Sequence, residues 1–275
     1  AGVEVADADL IVGTSAGSFV GAQLRMGRPA ADLFAAQRRE ATGSGEASSG
    51  ASGRSRAASA GAFMKLMELV AEAAATEGPR EEALRKIGAF ALAAETVDED
   101  AFIAGFGDWL RGLPSDAWPE RAFACTAVDA ESGDFAVWTA DSGVGLARAV
   151  ASSCAVPGIF PAITIKGRRY IDGGMRSATN ADIVVGSGRV LVVSVTSGAI
   201  TGVAAMAERS RQRLDAELKV LREMGGEVEL IEPDGESLEA FGPNLMDAGR
   251  RAIVAEAGFA QGRREGERLE GFWSI

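Results

Sequence analysis

The sequence contains no histidine, and that one absence removes much of the usual catalytic repertoire. A Ser-His-Asp triad, a Cys-His pair, an HExxH zinc site and any imidazole proton shuttle are excluded, so acid–base chemistry must run through another base. Cysteine is nearly as scarce. Cys125 and Cys154 are the whole complement among 275 residues, without CxxC spacing, and each sits in an apolar or small-residue stretch that suits a buried free thiol better than a disulfide or a nucleophile. Basic residues are outnumbered, 28 Lys and Arg against 39 Asp and Glu, for a formal net charge of -11. With no clustered basic face, nucleic acid is not expected as a partner. No apolar run approaches the ~18 residues that a membrane-spanning helix needs, while peripheral contact with lipid stays open.

What is present is organised. The opening VADADLIVG leads from acidic residues into Leu10-Ile11-Val12, which predicts a short buried strand ending at Gly13. A helix is expected from about Ala16 to Met26, with Gly17, Ser18, Gly21 and Ala22 small enough to approach a sheet, and with Gly27 and Pro29 stopping it. Residues 42–61 are Gly, Ser and Ala with a few charges and no apolar period, and read as a flexible surface loop. Nothing apolar in that segment could cover a substrate, which favours an inert insertion over a lid.

Helical spacing returns at Phe63, Leu66, Met67, Val70 and Ala74, then at Leu84, Ile87, Ala91 and Ala94. A capping box at Thr96–Glu99 predicts a further helix bearing Phe102, Ile103, Phe106, Trp109 and Leu110, so 62–113 reads as a helical insertion whose stripes are core. The second half turns to strands. RAFACTAV and DFAVWTA flank a turn at Asp129–Gly133, AITI and RRYI flank KGR, and RVLVVSV has the β-branched continuity of a strand covered on both faces. A charged helix with Leu214, Leu218 and Leu221 on one face precedes EVELIEP, and a last helix lies around Asp247–Gly262. Strands alternating with helices predict an α/β fold, with a mostly parallel central sheet between helical layers and one domain over 1–275.

Gly13-Thr14-Ser15-Ala16-Gly17 fits G-x-S-x-G between a strand and a helix, the context of a nucleophile elbow. The flanking glycines leave room for a strained turn. The helix N-terminus offers free N–H groups, of which that of Ala16 is the natural oxyanion donor. A capping serine in a Gly-rich turn, or an anion-cradling loop, would produce similar text, although no P-loop lysine or G-x-G-x-x-G spacing accompanies it. An activated serine needs a base. The carboxylate that stands out is Asp172 in YIDGGM, at the end of an apolar strand and followed by Gly173-Gly174, where the chain must turn.

With DLIVGTSAGS around Ser15, ACTAVDAESGD, ASSCAVPGIFPAITIKGRRYIDGG and the C-terminal NLMDAGRRA, the sequence resembles the patatin-like phospholipase family along most of its length. The resemblance implies a three-layer α/β/α fold and a Ser-Asp dyad, with Ser15 as nucleophile, Asp172 as base, an acyl-serine intermediate and no metal or organic cofactor. It implies a lipid or acyl-ester substrate and a carboxylic ester hydrolase, cytoplasmic or peripherally bound to membrane. Activity is expected at neutral to alkaline pH, where the aspartate is ionised. Val156, Ile159 and Phe160 in AVPGIFPAI are candidates for an acyl groove, with core packing as the other reading. Arg176 reads as a solvated charge rather than a headgroup contact.

Two departures stand out. The family's upstream strand and Gly-rich oxyanion loop, about 25 to 35 residues by ordinary element lengths, do not precede the elbow here, which fits a piece of a longer gene product. Members often carry Asn-x-Pro soon after the D-G-G turn, whereas here Asn180 comes later and is followed by Ala181-Asp182. A non-catalytic patatin-like binding or regulatory module without a complete oxyanion hole is therefore the alternative expectation. An anion-binding domain would use Gly13–Gly17 and leave Asp172 idle.

Overall fold

The computed structural model describes residues 3–42, 53–75, 80–114, 116–195, 204–242 and 247–273. In chain order the elements are β1 (Ile11–Gly13), α1 (Ala16–Arg25), α2 (Ala30–Thr42), α3 (Gly53–Ala75), α4 (Arg80–Ala93), α5 (Glu99–Ala104) and α6 (Asp108–Arg111). There follow β2 (Phe123–Asp129), β3 (Phe135–Trp138), α7 (Leu146–Ser153), β4 (Ile163–Ile165), β5 (Arg168–Asp172), β6 (Arg189–Val193), α8 (Ala204–Glu223), β7 (Glu227–Ile231), α9 (Gly235–Phe241) and α10 (Arg251–Trp273). The contacts divide the chain into two compact units. One spans Asp9–Gly27 and Ser52–Asn180, the other Ala1–Ala8, Arg28–Ala51 and Ala181–Ile275.

The first unit is built on β2, buried along its whole length. Successive side chains of a strand point to opposite faces, and β2 uses both. Phe123, Cys125 and Ala127 join a core with Ala22 of α1 and with Leu146, Ala149 and Val150 of α7. Val128 joins a second core with Leu66 of α3 and with Leu84, Ile87 and Ala91 of α4. The sheet thus has helices on both faces, the α/β arrangement expected of the sequence. Its pairing is mixed: β1 runs parallel to β2, and β3, β5 and β4 add antiparallel ladders, the β2–β3 and β4–β5 hairpins as their turns predicted.

In the second unit α8 connects the parallel strands β6 and β7. Val190 and Val192, two apart, meet Leu214, Leu218 and Leu221 in its core. The expectation that β6 is covered on both faces fails, because burial alternates along it and Val193 is 58% exposed. A Phe34–Phe259 stack at 4.7 Å and an Arg38–Glu256 ion pair tie α2 to α10.

Three local expectations are corrected. Of the loop read over 42–61, residues 43–52 lie outside the described residues, while 53–61 open α3. Ala and Arg in that stretch are strong helix formers, and a helix propagates cheaply from a packed anchor such as Leu66. The capping box does not form: Thr96 bonds to the Val97 carbonyl, and Asp98 caps α5 by accepting from the Ala101 N–H at 2.8 Å. The helix expected beyond it breaks into α5 and α6 at Gly105–Gly107, where Gly107 takes φ 92°. Among the described residues no helix is long and apolar enough to cross a membrane.

Candidate active site

Strand register brings two distant motifs together. Gly13, the last residue of β1, pairs with Cys125, and Asp172, the last residue of β5, pairs with Ala127. β3 also pairs with Cys125 and Ala127, and a strand has only two edges. Therefore β1 and β5 lie end to end along the other edge of β2. They run toward each other and stop on either side of Thr126, which sets Ser15 beside Asp172.

Ser15 is held in a conformation that a side-chain-bearing residue rarely adopts, φ 53° and ψ -126°. Such strain persists only where the surroundings fix it. Here the Ser15 N–H donates to Ser153 Oγ at 3.0 Å, and its carbonyl accepts from Ser18 Oγ at 2.7 Å and from Cys154 Sγ at 3.1 Å. A Cβ on Gly13 would lie 2.3 Å from the Ser18 Cα, so only glycine lets the strand enter this turn. Gly17 corrects the expectation that both motif glycines avoid collisions: a Cβ there would meet nothing within 4 Å.

Although Ser15 occupies the N-cap of α1, its side chain makes no capping bond. Its hydroxyl donates instead to Asp172 Oδ2 at 2.6 Å. The other carboxylate oxygen, Oδ1, accepts from the Gly174 N–H at 2.7 Å. Asp172 is 2% exposed, and burial pushes its carboxyl up from 3.8 to about 6 against the lowering influence of the Ser15 and Gly174 bonds. The result is a base stronger than an ordinary aspartate, yet ionised at neutral pH. Ala16 is exposed at the first position of α1, where an N–H has no acceptor within the helix. Gly173 fits tightly: a Cβ there would stand 2.2 Å from Thr126 Oγ1.

Several contributors escaped the sequence reading. Ser153 and Ser18 are the partners of the elbow backbone. Thr126, a lone hydroxyl in the apolar AFACTAV, and Thr14 place their Oγ1 atoms 2.9 Å apart. The only sequence signal of Thr126 is polarity where a buried strand should be apolar. Both cysteines are buried and free, and burial raises the Cys154 thiol far above its ordinary range, with the Asp172 charge adding to the effect.

Val156, Ile159 and Phe160 lie on the turn after α7, half-buried. That turn adjoins the carboxylate's backbone, since the Asp172 N–H donates to the Ala155 carbonyl at 3.0 Å. Val156 packs on the α3–α4 core, and Phe160 stacks 4.5 Å from Phe102. Arg176 is not a free solvated charge: it donates to Asn180 Oδ1 at 2.8 Å and lies 4.1 Å over the Phe135 ring. Among the described residues no group of three or more Cys, Asp or Glu gathers as a metal site.

Compared with protein families, the chain matches the model described as patatin-like phospholipase over residues 3–185. Comparison with curated proteins finds no match.

Proposed function

The chain belongs to the patatin-like phospholipase family, whose members are lipid acyl hydrolases, and on that premise we propose that it cleaves acyl esters of phospholipids or related lipids through Ser15 and Asp172. Ser15 Oγ attacks the ester carbonyl carbon while its proton passes to Asp172 Oδ2. The carbonyl oxygen, now negative, is met by the Ala16 N–H at the positive end of α1. Collapse of the tetrahedral species breaks the ester C–O bond. The departing alcohol takes the proton from Asp172 and leaves an acyl group on Ser15. Water then attacks the acyl-serine, Asp172 accepts its proton, and release of the carboxylic acid returns that proton to Ser15.

The observation that carries this reading is the 2.6 Å bond from a strained, half-buried Ser15 to a buried carboxylate. An aspartate usually has too low a pKa to serve as base for a hydroxyl. Raised to about 6, it shares the proton better while staying ionised above neutrality. In a chain without histidine no imidazole can take that place. The test is fatty-acid release from phosphatidylcholine in mixed micelles, and from a p-nitrophenyl ester, by the wild type and Ser15→Ala. Turnover that vanishes in the variant supports the reading, and turnover that survives it removes Ser15 from the chemistry.

A further inference from the structure

Asn180 lies beyond the Asp172-Gly173-Gly174 turn, fully buried, with a left-handed backbone at φ 48°. Its N–H donates to Ser177 Oγ at 3.1 Å. The Arg176 guanidinium donates to its Oδ1 at 2.8 Å and is itself laid over Phe135. A guanidinium has no acceptor to offer, so this bond fixes which end of the amide is oxygen and turns the NH₂ the other way. That nitrogen faces four acceptors: the Ser177 carbonyl at 2.7 Å, Thr14 Oγ1 at 3.1 Å, the Gly173 carbonyl at 3.2 Å and Thr126 Oγ1 at 3.4 Å.

These partners sit on different pieces of the site. Thr14 immediately precedes Ser15, Gly173 immediately follows Asp172, and Thr126 is the β2 residue between the facing ends of β1 and β5. None of the described ladders joins β1 to β5. The two strands are therefore free of direct backbone bonds where their separation matters most. The Thr14–Thr126 bond and the Asn180 amide supply a cross-tie in buried surroundings, where hydrogen bonds are strong and orphaned partners costly.

We infer that Asn180 is a positioning residue which, with Thr126, clamps the Thr14–Ser15 elbow to the Gly173 turn and sets the Ser15–Asp172 separation. The inference rests on the functional reading above. A displacement of about 1 Å between reacting groups costs on the order of 10²-fold in rate, so loosening the clamp lowers kcat with little change in KM. It also weakens the Ser15 bond that opposes the burial effect on Asp172, and the carboxyl then titrates higher. The titratable group facing Asp172 from the C-terminal end of α7 is the thiol of Cys154, its C-cap residue, which burial keeps protonated.

The experiment compares wild type with Asn180→Gly, which tolerates the left-handed backbone, and with Thr126→Val, which keeps shape and loses the hydroxyl. Thr126→Ser is the conservative rescue. Two readouts are taken: steady-state kinetics against pH, and the Asp172 carboxyl titration by ¹³C NMR, which needs no turnover. Expected are a kcat about 10²-fold lower and a carboxyl titrating at higher pH in both variants, with Thr126→Ser near wild type. A folded Asn180→Gly or Thr126→Val with wild-type kcat and an unmoved titration overturns the inference. Should Asn180→Gly not fold, Thr126→Val decides on the same terms. Failure of the functional reading looks different: Ser15→Ala turns over like wild type whatever the carboxyl does.

Discussion

The Ser15 hydroxyl donates to Asp172 Oδ2 at 2.6 Å across 157 positions of sequence. The contact follows from two strands that end facing each other on one edge of β2. Each partner has its own support: Ser15 through Ser153, Ser18 and Cys154, and Asp172 through Gly174.

The pH dependence of turnover follows from the carboxyl at about 6. The proposed base works only when ionised, so kcat/KM should rise through a single acid limb centred near 6 and level off above 7. Below the limb it should fall tenfold per pH unit. Initial rates on a soluble p-nitrophenyl ester from pH 4.5 to 8.5 measure this. A limb near 4 would mean that the base titrates like an exposed aspartate.

The same carboxyl makes a stability prediction of opposite sense. Because its folded value of about 6 exceeds 3.8, the folded state favours the protonated form. That contribution is fully present below about pH 3.8 and is lost as pH rises through 6. At pH 8 the ionised carboxylate therefore costs up to roughly 3 kcal/mol. Asp172→Asn can still donate to Ser15 Oγ and accept from Gly174, so it should be inactive yet more stable than wild type at pH 8, with the gap closing near pH 4. Urea unfolding at both pH values checks it.

The two motif glycines should separate. Gly13→Ala forces a Cβ against the Ser18 backbone and should cost about 1–3 kcal/mol or more, the usual range for overpacking. Gly17→Ala places its Cβ in open space within the first turn of α1. It should leave Tm unchanged or slightly higher, given the helix preference for alanine. Thermal unfolding of both variants is the measurement, and equal losses would contradict the contrast.

These contrasts also mark what the sequence made legible. The elbow, the Asp172 turn, both hairpins and the Leu214, Leu218, Leu221 face declare themselves through local patterns of apolar period and glycine. Thr126, Ser153 and Asn180 do not, because their roles exist only once β1, β5 and α7 have met around β2. A threonine inside an apolar strand looks the same whether it is idle or central. The start of α3 was hidden for a related reason: Gly, Ser and Ala carry no period, and a helix extended from Leu66 needs none. At α5 the pattern Thr96–Glu99 pointed to Thr96 as the cap, whereas Asp98, two residues on, makes the bond to Ala101.

The most direct question is whether Asp172 activates Ser15. Wild type, Ser15→Ala and Asp172→Asn, each incubated at pH 8 with a fluorophosphonate probe and followed over time by intact mass, answer that without any choice of lipid. Expected are one adduct on wild type, none on Ser15→Ala, and labelling of Asp172→Asn slower by on the order of 10²-fold or more, the usual worth of a positioned base. An adduct on Ser15→Ala, or wild-type labelling of Asp172→Asn, would contradict it.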